Sequence, residues 1–166
     1  MHTELLILGA GGHAKVVIEA IRGFNKLCKI QLVDEDPKKN QLDFFDNLTI
    51  ECLDNWKSYP NFCHVAIGDN KSRFELSKTA EQNNKIVTSV IHRNALLSSS
   101  AIIDEGVFIA AGSIVSAESC IGRGTIINHN TVIDHDCIVG HYSHIAPNST
   151  LCGGVKIGAG CLIGAG

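Results

Sequence analysis

A six-residue repeat fills the second half of this chain and constrains its fold more than any other feature. From Ile91 onward every sixth residue is aliphatic, and the fifth residue of each hexad is small. The aliphatic first positions are Ile91, Leu97, Ile103, Ile109, Val115, Ile121, Ile127, Ile133, Val139, Ile145, Leu151, Ile157 and Ile163. The small fifth positions are Ala95, Ala101, Val107, Ser113, Ser119, Thr125, Thr131, Cys137, Ser143, Ser149, Val155 and Cys161. A fixed period of this kind is typical of a solenoid, in which each repeat packs on its neighbours.

The length of the repeat predicts a parallel β-helix. Each hexad has room for one short strand and one turn, and three hexads close a triangular coil. The aliphatic residue then points inward and stacks on its equivalents in the coils above and below. The fifth residue also faces the narrow interior, where only a small side chain fits. We therefore expect residues 91–166 to form an all-β domain of stacked coils.

The first half of the chain has the pattern of a small α/β domain. Apolar runs at residues 4–8, 30–33 and 63–67 predict strands, and residues 15–22 and 72–82 have helical periodicity. Residues 86–90 lead into the repeat. Strands that alternate with helices predict a parallel sheet. We expect residues 1–90 to form a Rossmann-like βαβαβ unit.

A glycine-rich segment joins the first strand to the first helix. Gly9-x-Gly11-x-x-Ala14 would let backbone amides approach a phosphate at the helix N-terminus, and Asp34 after the second strand is placed to hold a ribose. The alternative is a tight turn that binds nothing. A dinucleotide fold needs two such halves, and 90 residues hold only one, so the segment favours a single nucleotide or nucleotide sugar over NAD.

Asp134-His135-Asp136 places a histidine between two acids at a hexad turn. A carboxylate beside an imidazole fixes its tautomer and raises its basicity, which suits a general base. A metal site is not expected, because His129, His135 and His141 are six residues apart and fall on three successive faces of the coil. An exposed histidine without a catalytic role remains the alternative for each of them.

Composition excludes several other classes. The net charge is −3, which gives no basic surface for nucleic acid. No apolar run approaches the ~20 residues of a membrane span, and the N-terminus lacks the pattern of a signal peptide, so we expect a cytoplasmic protein. The seven cysteines are odd in number and contain no C-x-x-C pair, which favours reduced thiols without a metal.

Both halves together resemble one family, the bacterial sugar O- and N-acyltransferases related to sialic acid O-acetyltransferase. The resemblance rests on motifs spread over essentially the whole chain: residues 8–13, 33–35, 66–70 with Arg73, 128, 132–136, 143–144 and 152–158. It implies that the coil is left-handed. It also implies N-acetylation of a nucleotide-linked 4-amino-4,6-dideoxy sugar with acetyl-CoA, and a homotrimer with each active site between two coils.

The resemblance also implies roles for individual residues. His135 is the expected general base, polarised by Asp136. The residues expected to bind the nucleotide sugar are Gly11, Gly12, His13, Asp34, Glu35 and Gly68. Those expected near acetyl-CoA are His144, Gly153 and Ala165. Relatives continue for further coils beyond the position of Gly166, so the β-helix is expected to be shortened at its C-terminus.

Two other functions remain open at this point. One is O-acetylation of sialic acid or a related sugar, whose free acid would favour a basic pocket. The other is a non-catalytic trimeric scaffold that binds a nucleotide sugar. The glycine segment and Asp34 favour the nucleotide-sugar N-acetyltransferase over both.

Overall fold

The computed structural model describes residues 3–166, which divide into two compact units, one up to residue 88 and one from residue 89 to residue 166. The first unit contains both α-helices, α1 (Gly12–Phe24) and α2 (Asn70–Gln82). Among the residues that the structure describes, no helix is long and apolar enough to cross a bilayer.

The first unit is built on a five-stranded parallel sheet. Its strands are β1 (Glu4–Leu8), β2 (Lys29–Asp34), β3 (Ile50–Cys52), β4 (Phe62–Val65) and β5 (Ile86–Val87), in the spatial order β3-β2-β1-β4-β5. The central strand β1 is almost wholly apolar and is buried from its second residue to its last, as expected for a parallel strand covered on both faces. The predicted α/β class is confirmed.

Two details of this unit differ from the sequence prediction. Strand β3 was not predicted, because three residues of mixed polarity give no periodicity, and it forms by pairing with the end of β2. The strand predicted at 63–67 is β4, which begins at Phe62 and ends at Val65. Three short 3-10 helices, Pro37–Lys39, Phe45–Asn47 and Trp56–Ser58, lie in the segment around β3.

The second unit is a left-handed parallel β-helix, with the stacked coils that the hexads predicted and the hand that the family resemblance implied. Each strand pairs in parallel with the strand 18 residues further along, as Ile114 does with Val132, so three sheets run along the coil. The first sheet contains β6 (Val90–Ile91), β9 (Phe108–Ile109), β12 (Ile126–Ile127), β15 (His144–Ile145) and β18 (Leu162–Ile163). The second contains β7 (Leu96–Leu97), β10 (Ile114–Val115), β13 (Val132–Ile133) and β16 (Thr150–Leu151). The third contains β8 (Ile102–Ile103), β11 (Cys120–Ile121), β14 (Ile138–Val139) and β17 (Lys156–Ile157).

A ladder of hydrogen bonds runs up the inside of the coil beside the aliphatic core. Seven of the small fifth-position side chains reach the backbone carbonyl 15 residues further along, at donor–acceptor distances of 2.6–3.2 Å. These residues are Ser113, Ser119, Thr125, Thr131, Cys137, Ser143 and Ser149. Polar side chains can therefore occupy the interior because each one finds a carbonyl acceptor in the turn above and is not buried without a partner.

The turns of the coil share one backbone feature. From residue 106 to residue 166 every sixth residue, one turn residue in each hexad, has positive φ. Glycine occupies six of these positions, and Asn or Asp, which tolerate this region better than other residues, occupy three. Position 124 favours glycine for two reasons. Its φ is positive, and a Cβ there would collide with the ring of Tyr142 in the next coil.

We predict that Ser119→Ala destabilises the coil. Ser119 Oγ donates to the carbonyl of Asp134 at 2.7 Å and accepts from the N–H of Cys137 at 3.3 Å. Removing the hydroxyl leaves two buried backbone groups unsatisfied, so the free energy of unfolding should fall by about 1–3 kcal/mol. Denaturant unfolding measures the change. The control is Ser99→Ala on the exposed side of a turn, and equal losses in the two variants would contradict the stabilising role of the ladder.

Candidate active site

The turn that follows β13 places His135 between two carboxylates. The backbone N–H of His135 donates to Asp134 Oδ1 at 2.8 Å. Its ring Nδ1 lies 2.7 Å from Asp136 Oδ2. Since a carboxylate only accepts, Nδ1 carries the proton of this bond, and Nε2 of the neutral ring keeps a free lone pair.

The two acids make this imidazole more basic than usual. The hydrogen bond that its Nδ1–H donates to Asp136 raises the pKa of His135 above its ordinary 6.5, and the negative charge of Asp134 raises it further. The side chain remains 61% exposed, so an incoming molecule can reach the ring. The turn therefore presents an oriented base.

Gly153 lies directly against this ring from the next coil. A Cβ built on Gly153 would lie 2.5 Å from both Cε1 and Nε2 of His135, so any side chain there would have to displace the ring. The adjacent Gly154 N–H donates to the His135 carbonyl at 2.8 Å and fixes the separation of the two turns. Among the hydrogen bonds within residues 3–166, none uses the N–H of Gly153. An amide donor is thus available beside the base.

His144 and Ala165 lie elsewhere on the coil. His144 is on β15, in a different sheet from the two strands that flank the His135 turn, and it pairs with Leu162 of β18. Ala165 is exposed in the turn after β18. The residues predicted near acetyl-CoA therefore fall into two groups within one chain: Gly153 lies with the base, and the other two lie on another face.

Asn128 defines the tautomer of the neighbouring His144 ring. Its Oδ1 accepts from the backbone N–H of His129 at 2.9 Å, which orients the amide. The amide nitrogen then faces His144 Nε2 at 3.0 Å, and because it can only donate, Nε2 is the acceptor. When neutral, His144 therefore carries its proton on Nδ1.

The remaining histidines of the coil do not converge. His129, His135 and His141 lie in three different turns, between different pairs of sheets, as their spacing predicted. His141 Nδ1 accepts from the N–H of Arg123 at 3.0 Å. Within residues 3–166 no group of three His, Cys, Asp or Glu side chains is arranged to hold a metal.

In the first unit, three glycines near the start of α1 are not required by the backbone conformation, unlike Gly9, which has positive φ. Gly11, Gly12 and Gly68 do not have positive φ, and a Cβ on any of them would meet nothing within 4 Å. Gly11 is the N-cap of α1, and no side chain among the described residues caps that helix. His13 lies in the first turn. Exposed amides at a helix N-terminus without a side-chain cap form a site for an anionic group.

Asp34 is already held by protein groups. Its Oδ2 accepts from the N–H of Ala10 at 2.7 Å and from Lys39 Nζ at 2.8 Å, and its Oδ1 accepts from the N–H of Asp36 at 2.9 Å. Partial burial acts to raise the pKa of Asp34, but the bonds from Lys39, Asp36 and Ala10 outweigh it, and the pKa lies below its ordinary value. Glu35, the next residue, is exposed.

Arg73 supports the backbone of this region, a role that the sequence did not reveal. The side chain is buried, at 1% exposure. Its Nη1 donates to the carbonyls of Ile67 and Gly68 at 3.0 and 2.9 Å, and its Nη2 donates to Asn70 Oδ1 at 2.7 Å. The arginine supports the backbone of the Gly68 loop. Its position in the first turn of α2, after a strand and a glycine, was the available signal.

Family models match both units. Residues 4–80 match the model described as PglD N-terminal domain, and residues 121–153 match bacterial transferase hexapeptide (six repeats). No significant match was found among curated protein sequences.

Solved structures match the whole chain. A histidine-to-alanine variant of GDP-perosamine N-acetyltransferase from Caulobacter crescentus, solved with CoA and GDP-perosamine, is 30% identical with a TM-score of 0.84, covering 98% of this chain and 86% of that one. The acetyltransferase domain of PglB from Neisseria gonorrhoeae FA1090, in complex with acetyl coenzyme A, is 26% identical with a TM-score of 0.86, covering 100% and 90%. WeeI from Acinetobacter baumannii AYE, at 14% identity and a TM-score of 0.61 over 92% and 93% of the chains, shares the fold.

We predict that Gly153→Ala displaces the His135 ring without unfolding the coil. The new methyl group would overlap Cε1 and Nε2, so the ring must turn away from Asp136, and the pKa of His135 should fall toward its ordinary value. An NMR titration of the imidazole measures this pKa. Gly158→Ala is the matched control, because its Cβ would meet only Cys161 Sγ at 3.7 Å. An unchanged His135 pKa in Gly153→Ala would show that the glycine does not position the ring.

Proposed function

This chain belongs to the hexapeptide-repeat sugar acyltransferase family, and from that premise we propose that it acetylates the amino group of a nucleotide-linked 4-amino-4,6-dideoxy sugar, with His135 as general base. It is an acyltransferase, and acetyl-CoA is its cosubstrate. The observation that carries the proposal is the His135 imidazole held between Asp136 and Gly153.

The proposed chemistry is direct acyl transfer. The neutral amine attacks the thioester carbon of acetyl-CoA and forms the new C–N bond, and His135 Nε2 takes the proton that the nitrogen loses. The C–S bond then breaks, and the imidazolium returns the proton to the departing CoA thiolate. The Nδ1–H bond to Asp136 stabilises the imidazolium between these steps.

No thiol is needed as a nucleophile. Cys137 is fully buried, and its Sγ lies 3.2 Å from the carbonyl of Cys152, as part of the inner ladder. The N–H of Gly153 is the proposed donor to the thioester oxygen, because negative charge develops there as the tetrahedral intermediate forms. The proposed base, His135, and the proposed donor, the Gly153 N–H, then lie in successive turns at the same corner of the coil.

The first unit supplies the proposed nucleotide-sugar site. The exposed amides at the start of α1 suit a diphosphate, and Gly11, Gly12 and Gly68 leave its approach open. His13 and the Asp34–Glu35 segment are the proposed contacts to the rest of the nucleotide sugar. A relative solved with GDP-perosamine supports a sugar nucleotide as acceptor.

A homotrimer is the proposed assembly. Gly153 and His135 lie on one corner of the coil, whereas His144 and Ala165 lie on another face. An active site between two coils would combine the base of one chain with the CoA-contacting face of its neighbour. His144, with its proton on Nδ1, would then serve as a second donor near the thioester.

The base is tested by replacing His135 and, separately, Asp136. His135→Ala should lower turnover by about 10²–10⁴-fold with the assembly intact. In the unchanged chain, log(kcat/KM) should rise with pH as His135 loses its proton, with a midpoint above 6.5. Asp136→Asn should move that midpoint to lower pH and slow the reaction less than His135→Ala does.

The amine of the sugar substrate titrates in the same way in the assays of the unchanged chain and of both variants. A shift of the midpoint between them therefore reports on His135. Unchanged turnover in His135→Ala would remove the residue from the mechanism and favour a non-catalytic scaffold. Acetylation of sialic acid, with no acetylation of an amino sugar, would identify an O-acetyltransferase instead.

The glycine segment is tested by Gly11→Val. Gly11 has an ordinary extended backbone, and its Cβ would meet open space, so the fold should tolerate the side chain. The valine would occupy the approach to the α1 amides and should weaken binding of the sugar nucleotide by tenfold or more, on the order of one lost charge-assisted contact. Calorimetric titration with acetyl-CoA should give an unchanged affinity in the same variant. An unaltered sugar-nucleotide affinity would count against the site.

A further inference from the structure

Two consecutive turns of the coil carry a histidine between matching neighbours, and the structure holds the two histidines differently. The chain has an acid-histidine-acid run at residues 134–136 and an asparagine-histidine-asparagine run at residues 128–130. The His135 ring bonds the acid that follows it. The His129 ring turns back to the residue before it, and its Nδ1 lies 3.0 Å from Asn128 Oδ1. The second histidine therefore acts on an amide, and the proposed mechanism has so far not used it.

The residue after His129 is engaged elsewhere. Asn130 has positive φ, and its Oδ1 would lie 2.1 Å from a Cβ on Gly112 in the preceding coil, so its side chain lies over that glycine. Asn128 Oδ1 instead receives both N–H groups of His129, the backbone N–H at 2.9 Å and the ring nitrogen at 3.0 Å. Because a carbonyl oxygen only accepts, the His129 ring carries a proton on Nδ1.

The two donors of His129 fix the direction in which the Asn128 amide faces. With Oδ1 held on one side, the amide Nδ2 faces His144 Nε2 at 3.0 Å and donates to it. A reversed amide would set its N–H₂ group against the two donors of His129. It would also present an oxygen to His144 Nε2 and so stabilise the opposite tautomer of that ring. The state of the His144 ring therefore depends on His129 through one amide.

We propose that His129 is a positioning residue for the acyl transfer, because it holds the Asn128 amide and thereby keeps the His144 proton on Nδ1. This role rests on the proposed function, in which His144 donates near the thioester. An Nδ1–H group stabilises the negative charge that develops on the thioester oxygen, whereas an Nδ1 lone pair would repel it. His129 contributes through Asn128 and does not itself touch a reacting atom.

The backbone of the turn is held without the His129 side chain. The N–H of Asn130 donates to the Ala111 carbonyl at 3.1 Å, which joins the turn to the coil below. The N–H of Asn148 donates to the His129 carbonyl at 2.9 Å, which joins it to the coil above. Substitutions of the ring should therefore leave the coil folded, and their effects should be confined to the amide.

His129→Asn and His129→Asp form a matched pair that differs in one donor. Asparagine can place an N–H₂ group where Nδ1 lies, whereas aspartate brings only oxygens against Asn128 Oδ1. NMR of the full chain with isotope-labelled histidine distinguishes the protonated ring nitrogen of His144 from the other. His129→Asn should keep the Nδ1–H tautomer. His129→Asp should lower the ratio of the Nδ1–H to the Nε2–H tautomer about tenfold, the scale of one hydrogen bond replaced by a repulsion.

Turnover of a nucleotide-linked amino sugar with acetyl-CoA is the second measurement. In His129→Asp, kcat should fall about tenfold while the KM of acetyl-CoA changes by less than about threefold, because the donor acts on charge that develops only in the transition state. In His129→Asn, kcat should recover to within about threefold of the unchanged chain. Asn130→Asp is the control for charge. It adds the same negative charge one residue away, but its oxygen lies over Gly112, so the tautomer and kcat should not change.

An unchanged His144 tautomer in His129→Asp overturns the role of His129. A shifted tautomer with unchanged kcat also overturns it, because His144 would then not donate in the reaction. So does an equal effect of Asn130→Asp, since charge alone would explain both variants. If the unchanged chain acetylates no amino sugar while the tautomer responds as expected, the proposed function fails and the link from His129 to His144 stands.

Discussion

The hydrogen bonds between the inward hydroxyls and the carbonyls 15 residues further along hold the coil in register. An aliphatic stack alone is non-directional and would tolerate slippage of one turn past another. A hydroxyl that must reach one carbonyl in the next coil does not tolerate it, because a shift leaves both groups buried without partners. The polar interior therefore sets which turn lies above which.

The candidate active site is a direct consequence of this register. His135 and Gly153 are 18 residues apart and touch because their turns are superposed. Ser119, one coil below, bonds the Asp134 carbonyl of the same turn. The left-handed backbone at Asp136 then brings its carboxylate onto the ring of the preceding residue. A repetitive scaffold thereby places a base, its polarising acid and an amide donor at one corner, with no element dedicated to the site alone.

In the first unit, the loops at the carboxyl edge of the sheet are held by buried or half-buried charged side chains. Asp34 joins β2 to the glycine segment, and Arg73 joins α2 to the Gly68 loop. Each charge makes several hydrogen bonds, which offsets the cost of removing it from water. Gly9 has positive φ and packs closely on Ile67, but Gly11, Gly12 and Gly68 have no such requirement. In the proposed function these three glycines leave room for a ligand, and Asp34 and Arg73 hold the backbone around that space.

The repeat pattern by itself determined the β-helix, because a period of six with inward aliphatic and small residues has one compact solution. The alternation of strands and helices likewise determined the α/β class of the first unit. Strand β3 escaped prediction because its three residues form a strand only beside β2. The Asp134-His135-Asp136 motif identified a candidate base, since adjacent residues in one turn are close whatever the fold. Only the tertiary structure decided that Gly153 lies against that base, that His144 does not, and that Asp34 is already occupied. Those relations join residues 18, 9 and 24 positions apart, and such distances are set by the stacking of coils and strands and not by local sequence.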